Sequence, residues 1–113
     1  MNLKTLAFKH NLKVCLGNRQ SQAAEMVLFP GDREGGPNNR HRGSDQWLYV
    51  VEGRGLATVH NRRIPLKEGM LILIKRGDPH EIRNTARRPL KTLNIYVPPA
   101  YTKNGNRLAR GRP

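Results

Sequence analysis

Valine, isoleucine, leucine and aromatic residues fall along this chain in runs of four to eight, each bounded by Gly, Pro, Asn or Asp. That is the pattern of short strands joined by tight turns, and no sustained helical period accompanies it. The predicted strands are TLAFKH (5–10), LKVCLG (12–17), SQAAEMVLF (21–29), QWLYVVEG (46–53), GLATVH (55–60), RRIPL (62–66), MLILIK (70–75), HEIRN (80–84) and PLKTLNIYV (89–97). Eight or nine short strands with so little helix predict an all-β sandwich or jelly-roll barrel. In VHNRRI, Asn61 stands where a chain reversal needs it, which puts His60 at a hairpin end on the surface. Residues 30–45, PGDREGGPNNRHRGSD, are too long for a hairpin turn and too polar for a core strand, so they predict a functional loop, with His41 inside it.

Length then limits the possibilities: 113 residues close one core and offer one site at most. The expected organisation is a single barrel over residues 1–101, with its core between 22 and 101, followed by a basic, mobile tail over 102–113 that carries no acidic residue. No run of eighteen apolar residues occurs, and Lys9, His10 and Lys13 interrupt the N-terminal stretch. The chain therefore reads as neither membrane-spanning nor secreted, with a cytoplasmic location expected. Cys15 is the single cysteine, which excludes an internal disulfide and a thiolate cluster and reads as packing. The net charge of +13 attracts polyanions, yet no basic helix, aromatic recognition strand or zinc-finger spacing converts it into specific nucleic-acid recognition. No nucleophilic triad, paired carboxylates or phosphate-cradling glycine loop appears.

Two stretches carry candidate chemistry. The first is GMLILIKRGDPHEIRN (69–84), in which Gly69, Gly77, His80 and Asn84 are spaced as in the second motif of the cupin family, which it resembles; Lys75 stands where that family usually has proline. The second, NRHRGSDQWLYVVEGRG (39–55), resembles a weaker form of the first cupin motif. Counting back from Gly53 puts Gln46 at the family's glutamate position, His41 at the second histidine and Asn39 at the first. The ending LNIYVPPAY also resembles cupin endings. The resemblance covers residues 22–101 and implies a double-stranded β-helix, that is, a jelly-roll barrel.

Alternation along a strand supports the same grouping independently of the name. Gln46 shares a face with Leu48 and Val50, and His80 with Ile82 and Asn84, while Asn39 and His41 share another. Asp45, Trp47, Tyr49 and Arg83 fall on the opposite parity. Trp47 and Tyr49 then face either a second subunit or a covering segment, and the parity of Glu25 and Met26 stays open. Arg40 and Arg42 flank His41, either solvated or meeting an anionic substrate.

The resemblance implies one divalent transition metal (zinc, nickel, manganese or iron) held by His41, Gln46, His80 and Asn39, an all-neutral donor set that favours Lewis-acid chemistry. It also implies a small polar or sugar-like ligand processed by isomerase or lyase chemistry. A non-catalytic ligand-binding or sensor module and a cupin-type dioxygenase are the alternatives. A homodimer is expected, because a small barrel leaves sheet edges and an aromatic face to cover.

Overall fold

The computed structural model describes residues 1–36 and 43–102. Nine strands form among the described residues: β1 (Leu12–Gly17), β2 (Gln22–Leu28), β3 (Arg33–Gly36), β4 (Asp45–Glu52), β5 (Gly55–Val59), β6 (Arg62–Leu66), β7 (Leu71–Ile74), β8 (His80–Arg83) and β9 (Leu90–Val97). They make a five-stranded sheet in the order β1-β2-β9-β4-β7 and a four-stranded sheet in the order β3-β8-β5-β6. Every pairing is antiparallel. No helix among the described residues is long and apolar enough to cross a membrane.

The alternation read from the sequence is the one the sheets use. Leu48 and Val50 of β4, Met26 and Leu28 of β2, Ala57 of β5, Leu66 of β6, Ile74 of β7, Ile82 of β8 and Leu90 of β9 form one buried cluster between the two sheets. Strand period two allows one face of each strand to be apolar and the other to meet solvent. Trp47, Tyr49 and Arg83 accordingly lie on exposed positions. Met26 joins the core, whereas Glu25 is buried on the outer face, where its carboxylate accepts the Phe8 amide at 2.7 Å.

Two sequence expectations are corrected. TLAFKH is not a strand: Phe8 adopts φ of +53°, and the segment instead passes over Glu25. Residues 33–36, read as loop, form β3, which pairs with β8 from Arg33 opposite Arg83 to Gly36 opposite His80. Two glycines and two charged residues carry little intrinsic strand preference, so the partner supplies the order. The mobile tail expected over 102–113 lies outside the described residues beyond Thr102.

The turns are set by backbone geometry. His60 and Asn61, with φ of +50° and +62°, join Val59 to Arg62 as a two-residue hairpin turn, and His60 Nε2 contacts Asp78 Oδ1 at 2.7 Å. Gly53, with φ of +94°, turns the chain from β4 toward β5 where a Cβ would sit 2.4 Å from the Pro89 carbonyl oxygen. At the other end of β4, Asp45 faces outward as expected. Its Oδ1 accepts the Arg76 amide at 2.9 Å and Arg76 Nε at 3.3 Å, tying the start of β4 to the turn after β7. Those hydrogen bonds hold the Asp45 carboxyl below its ordinary value of 3.8.

Replacing Gly53 with alanine is expected to cost more than about 1 kcal/mol, because it adds a steric clash to the strained positive φ. Gly31→Ala, with φ of +87° but nothing within 4 Å of the new methyl, should cost less; chemical denaturation of the two variants tests the order. Asp45 has a folded pKa below its unfolded one. Its contribution is therefore complete above the unfolded carboxylate value near pH 4 and is lost as pH falls through the lowered folded value. An Asp45→Asn variant should lose less stability than the parent across that acid interval, as measured by thermal melts between about pH 5 and about pH 2.5, on either side of the ordinary aspartate value.

Candidate functional site

Strand direction sorts the barrel into two ends. At one end lie Gly53, Pro89 and Leu90, together with Gly55, whose Cβ position is 2.5 Å from the Arg83 carbonyl oxygen. At the other lie the first residues of β4 and β8, the last of β5 and β9, and the first of β2, because Asp45 pairs with Val97, Val59 with His80 and Gln22 with Tyr96. Gln46 and His80 thus occupy the same end on the two opposing sheets. Both face the interior, each 3% exposed. Asn39 and His41 lie outside the described residues. The chain on either side of them is anchored at this end, since Gly36 pairs with His80 and Asp45 begins β4.

The His80 ring is oriented by its own turn. Its Nδ1 lies 3.0 Å from the Asp78 carbonyl oxygen, an atom that can only accept, so Nδ1 carries the proton in the neutral ring. Nε2 then carries the lone pair, which is the tautomer a metal or a donor ligand requires. Gly77, at φ of +86°, makes the turn that places Asp78 and His80 in this relation.

Gln46 is oriented by β9. Asn94 donates from Nδ2 to Thr92 Oγ1 at 3.0 Å and to the Ala24 carbonyl at 3.4 Å, which leaves its Oδ1 as the acceptor. Gln46 donates Nε2 to that oxygen at 3.0 Å. The remaining Gln46 Oε1 is buried and accepts no hydrogen bond from the described residues. A buried acceptor without a donor costs about 1–3 kcal/mol, a cost that a bound cation or donor group removes.

Thr92 and Asn94, both fully buried, were not singled out from the sequence. Their signal was available: LKTLNIYV puts Leu90, Thr92, Asn94 and Tyr96 on the inward parity, and two polar residues there interrupt an otherwise apolar face. Glu34 was missed because its segment read as loop. It pairs with Ile82 and therefore shares the inner face with His80 and Gly36. It is the one carboxylate on that face at this end among the described strand residues. Glu25, Asp45 and Glu81 have the opposite parity, and Glu52 lies beyond a bulge at the far end of β4, where it meets Lys91. Asn84, in parity with His80, is structural: its Nδ2 donates to the Leu28 and Arg88 carbonyls at 2.8 and 2.7 Å. His60 belongs to its hairpin, and Cys15 contacts the Lys13 carbonyl beside an edge bulge. Among the described residues no three His, Cys, Asp or Glu side chains gather as a metal cluster. At this end the described residues that offer neutral donors to the interior are His80 and Gln46.

Comparison with known proteins follows the same outline. An uncharacterized protein of Methanocaldococcus jannaschii is 39% identical over 61 residues, 54% of this chain and 49% of that protein, so the match spans about half of the relative's length. An oxalate-binding protein of Thermotoga maritima is 27% identical over 85 residues, 75% of this chain and 69% of that protein. A solved structure from Bacillus halodurans superposes with a TM-score of 0.71 at 28% identity, covering 90% of this chain and 78% of that one. A second, from Thermus thermophilus, superposes with a TM-score of 0.72 at 24% identity, covering 85% and 90%. The fold is the double-stranded β-helix. With the Cupin domain family model matching residues 24–96, from the second strand through the ninth, the chain belongs to the cupin family.

Proposed function

We propose that this chain is a small metal-binding cupin that acts on a small polar or sugar-like molecule by metal-assisted isomerase or lyase chemistry. The observation that carries the reading is the buried Gln46 Oε1, which has no hydrogen-bond donor among the described residues and lies at the same end of the barrel as the inward-facing His80 ring. His41 and Asn39 complete the proposed ligand set. All four donors are neutral, which suits a divalent transition metal such as zinc, nickel, manganese or iron. When bound, that metal supplies Lewis-acid polarisation of a carbonyl or hydroxyl oxygen.

The chain's own residues have distinct parts in this reading. His80 and Gln46 present lone pairs whose directions are set by Asp78 and by the Asn94–Thr92 pair. Glu34, on the same inner face, is the carboxylate placed to carry a proton to or from a ligand held there. The apolar cluster beneath Gln46 and His80 keeps the floor of the site dry, which strengthens polar interactions above it. A second reading is a binding module that holds its ligand without turnover; the name of the Thermotoga maritima relative, an oxalate-binding protein, favours it.

The protomer also has a covering to find. Trp47 lies opposite Leu73 and Ile95, and Tyr49 opposite Leu71 and Leu93, on the outer face of the five-stranded sheet. Trp47 and Tyr49 are each 41% exposed and Leu71 is 60% exposed. A contiguous apolar strip of this kind suits a twofold contact with a second copy, and we propose a homodimer through it.

His80→Ala is expected to weaken binding of the best of zinc, nickel, manganese and ferrous iron by more than about tenfold, whereas His60→Ala and His10→Ala leave it unchanged. Gln46→Glu should tighten it by adding a charged donor, and Asn94→Ala should weaken it about 10- to 100-fold through loss of orientation. Metal titration of the folded variants reads each of these changes, and absence of any binding sensitive to His80 would end the metal reading. Glu34→Gln should retain metal and lose turnover; full turnover would remove Glu34 from the mechanism. Light scattering at micromolar concentration should report twice the chain mass for the parent and a single chain mass for Trp47→Lys.

A further inference from the structure

The end of the barrel remote from Gln46 and His80 holds a second concavity. Three turns meet there: β4 to β5 with Gly53 and Arg54, β6 to β7 with Lys67 and Glu68, and β8 to β9 with Ala86, Arg87 and Arg88. Together they line a cleft of about 520 Å³, within the size range of small-ligand sites. Four of the lining side chains are cations and one is a carboxylate, an excess of three positive charges.

Elsewhere on the surface four basic residues have carboxylate partners: Arg33 and Arg83 meet Glu81, Arg76 meets Asp45, and Lys91 meets Glu52. In the cleft, Arg54, Lys67, Arg87 and Arg88 form no ion pair with a carboxylate among the described residues. Glu68 is in no ion pair among the described residues, and its Oε1 accepts the Gly53 amide at 3.3 Å. Like charges held in one concavity repel one another unless an anion sits among them. The walls are also fixed. Asn84 clamps the third turn through the Arg88 carbonyl at 2.7 Å and the Ala86 amide at 2.8 Å, and Gly53 packs against Pro89.

We propose that this cleft binds a small anion carrying two linked phosphate groups, a pyrophosphate moiety, at a site separate from the Gln46–His80 end. Three guanidinium groups offer planar paired donors that match phosphate oxygens, and the local excess of three positive charges matches a pyrophosphate group near neutral pH. The concave shape selects a compact anion, whereas a long polyanion spreads over the whole basic surface.

Calorimetric titration with pyrophosphate, orthophosphate and a single-stranded oligonucleotide tests this in the full chain. One pyrophosphate per chain is expected, bound more tightly than orthophosphate. In the double variant Arg87→Ser/Arg88→Ser it should weaken by at least about tenfold, since each lost guanidinium removes charge-assisted hydrogen bonds. These substitutions leave the Arg88 carbonyl bond to Asn84 in place. The double variant Arg62→Ser/Arg63→Ser, with the same change in net charge on another part of the surface, should bind as the parent does. Glu68→Gln, which keeps an acceptor for the Gly53 amide, should bind more tightly. The proposal is overturned by absence of pyrophosphate binding, by equal weakening in the two double variants, or by binding of the oligonucleotide alone.

Discussion

The interior face of β9 changes character along its length, from Leu90 through Thr92 and Asn94 to Tyr96, and the organisation of the molecule follows that change. β9 is the central strand of its sheet, hydrogen-bonded to β2 on one side and β4 on the other. Each inward residue of β9 therefore sets what its neighbours meet. Leu90 lies opposite Leu28, in the sealed apolar floor. Asn94 lies opposite Ala24 and Leu48, and Tyr96 opposite Gln22 and Gln46. A polar group buried there must be partnered. Among the described residues the Thr92–Asn94–Gln46 chain leaves one buried side-chain atom without a partner, the Gln46 oxygen.

That single exception separates the two ends of the barrel. The Gln46–His80 end buries its polar side chains and is bordered by Gln22, which holds the backbone of Ala100 and Tyr101 through its own amide. Tyr101 packs edge-on against Tyr96 with ring centres 5.1 Å apart, so the last described residues brace the strand that orients Gln46. The remote end is open and cationic and is assembled from turns rather than strands. The proposed Lewis-acid chemistry belongs to the first environment and the proposed anion recognition to the second, because desolvation strengthens directed lone pairs while exposed guanidinium groups retain their charge.

The alternation of apolar and polar residues was sufficient to place eight of the nine strands and the inward parity of Gln46, Leu48, Val50, His80 and Ile82, because a period of two leaves each strand one way to bury its apolar side. The same pattern put Asp45, Trp47, Tyr49 and Arg83 outside, and Asn61 marked its hairpin. β3 was not legible, since Arg-Glu-Gly-Gly has no apolar alternation and becomes a strand through pairing with β8. TLAFKH misled for the converse reason: it has apolar residues but no ladder partner, and its Phe8 amide meets the Glu25 carboxylate of β2 instead. The roles of Asn94 and Glu34 depend on which strands are neighbours, information that no local pattern contains. By itself the sequence determined the strand pattern and the inward parity of Gln46 and His80, through local periodicity. Which oxygen of which amide is left unpartnered, and which cations share a cleft, was decided only by the tertiary structure, because both depend on contacts between residues as far apart in the chain as Gln46 and Asn94 or Arg54 and Arg87.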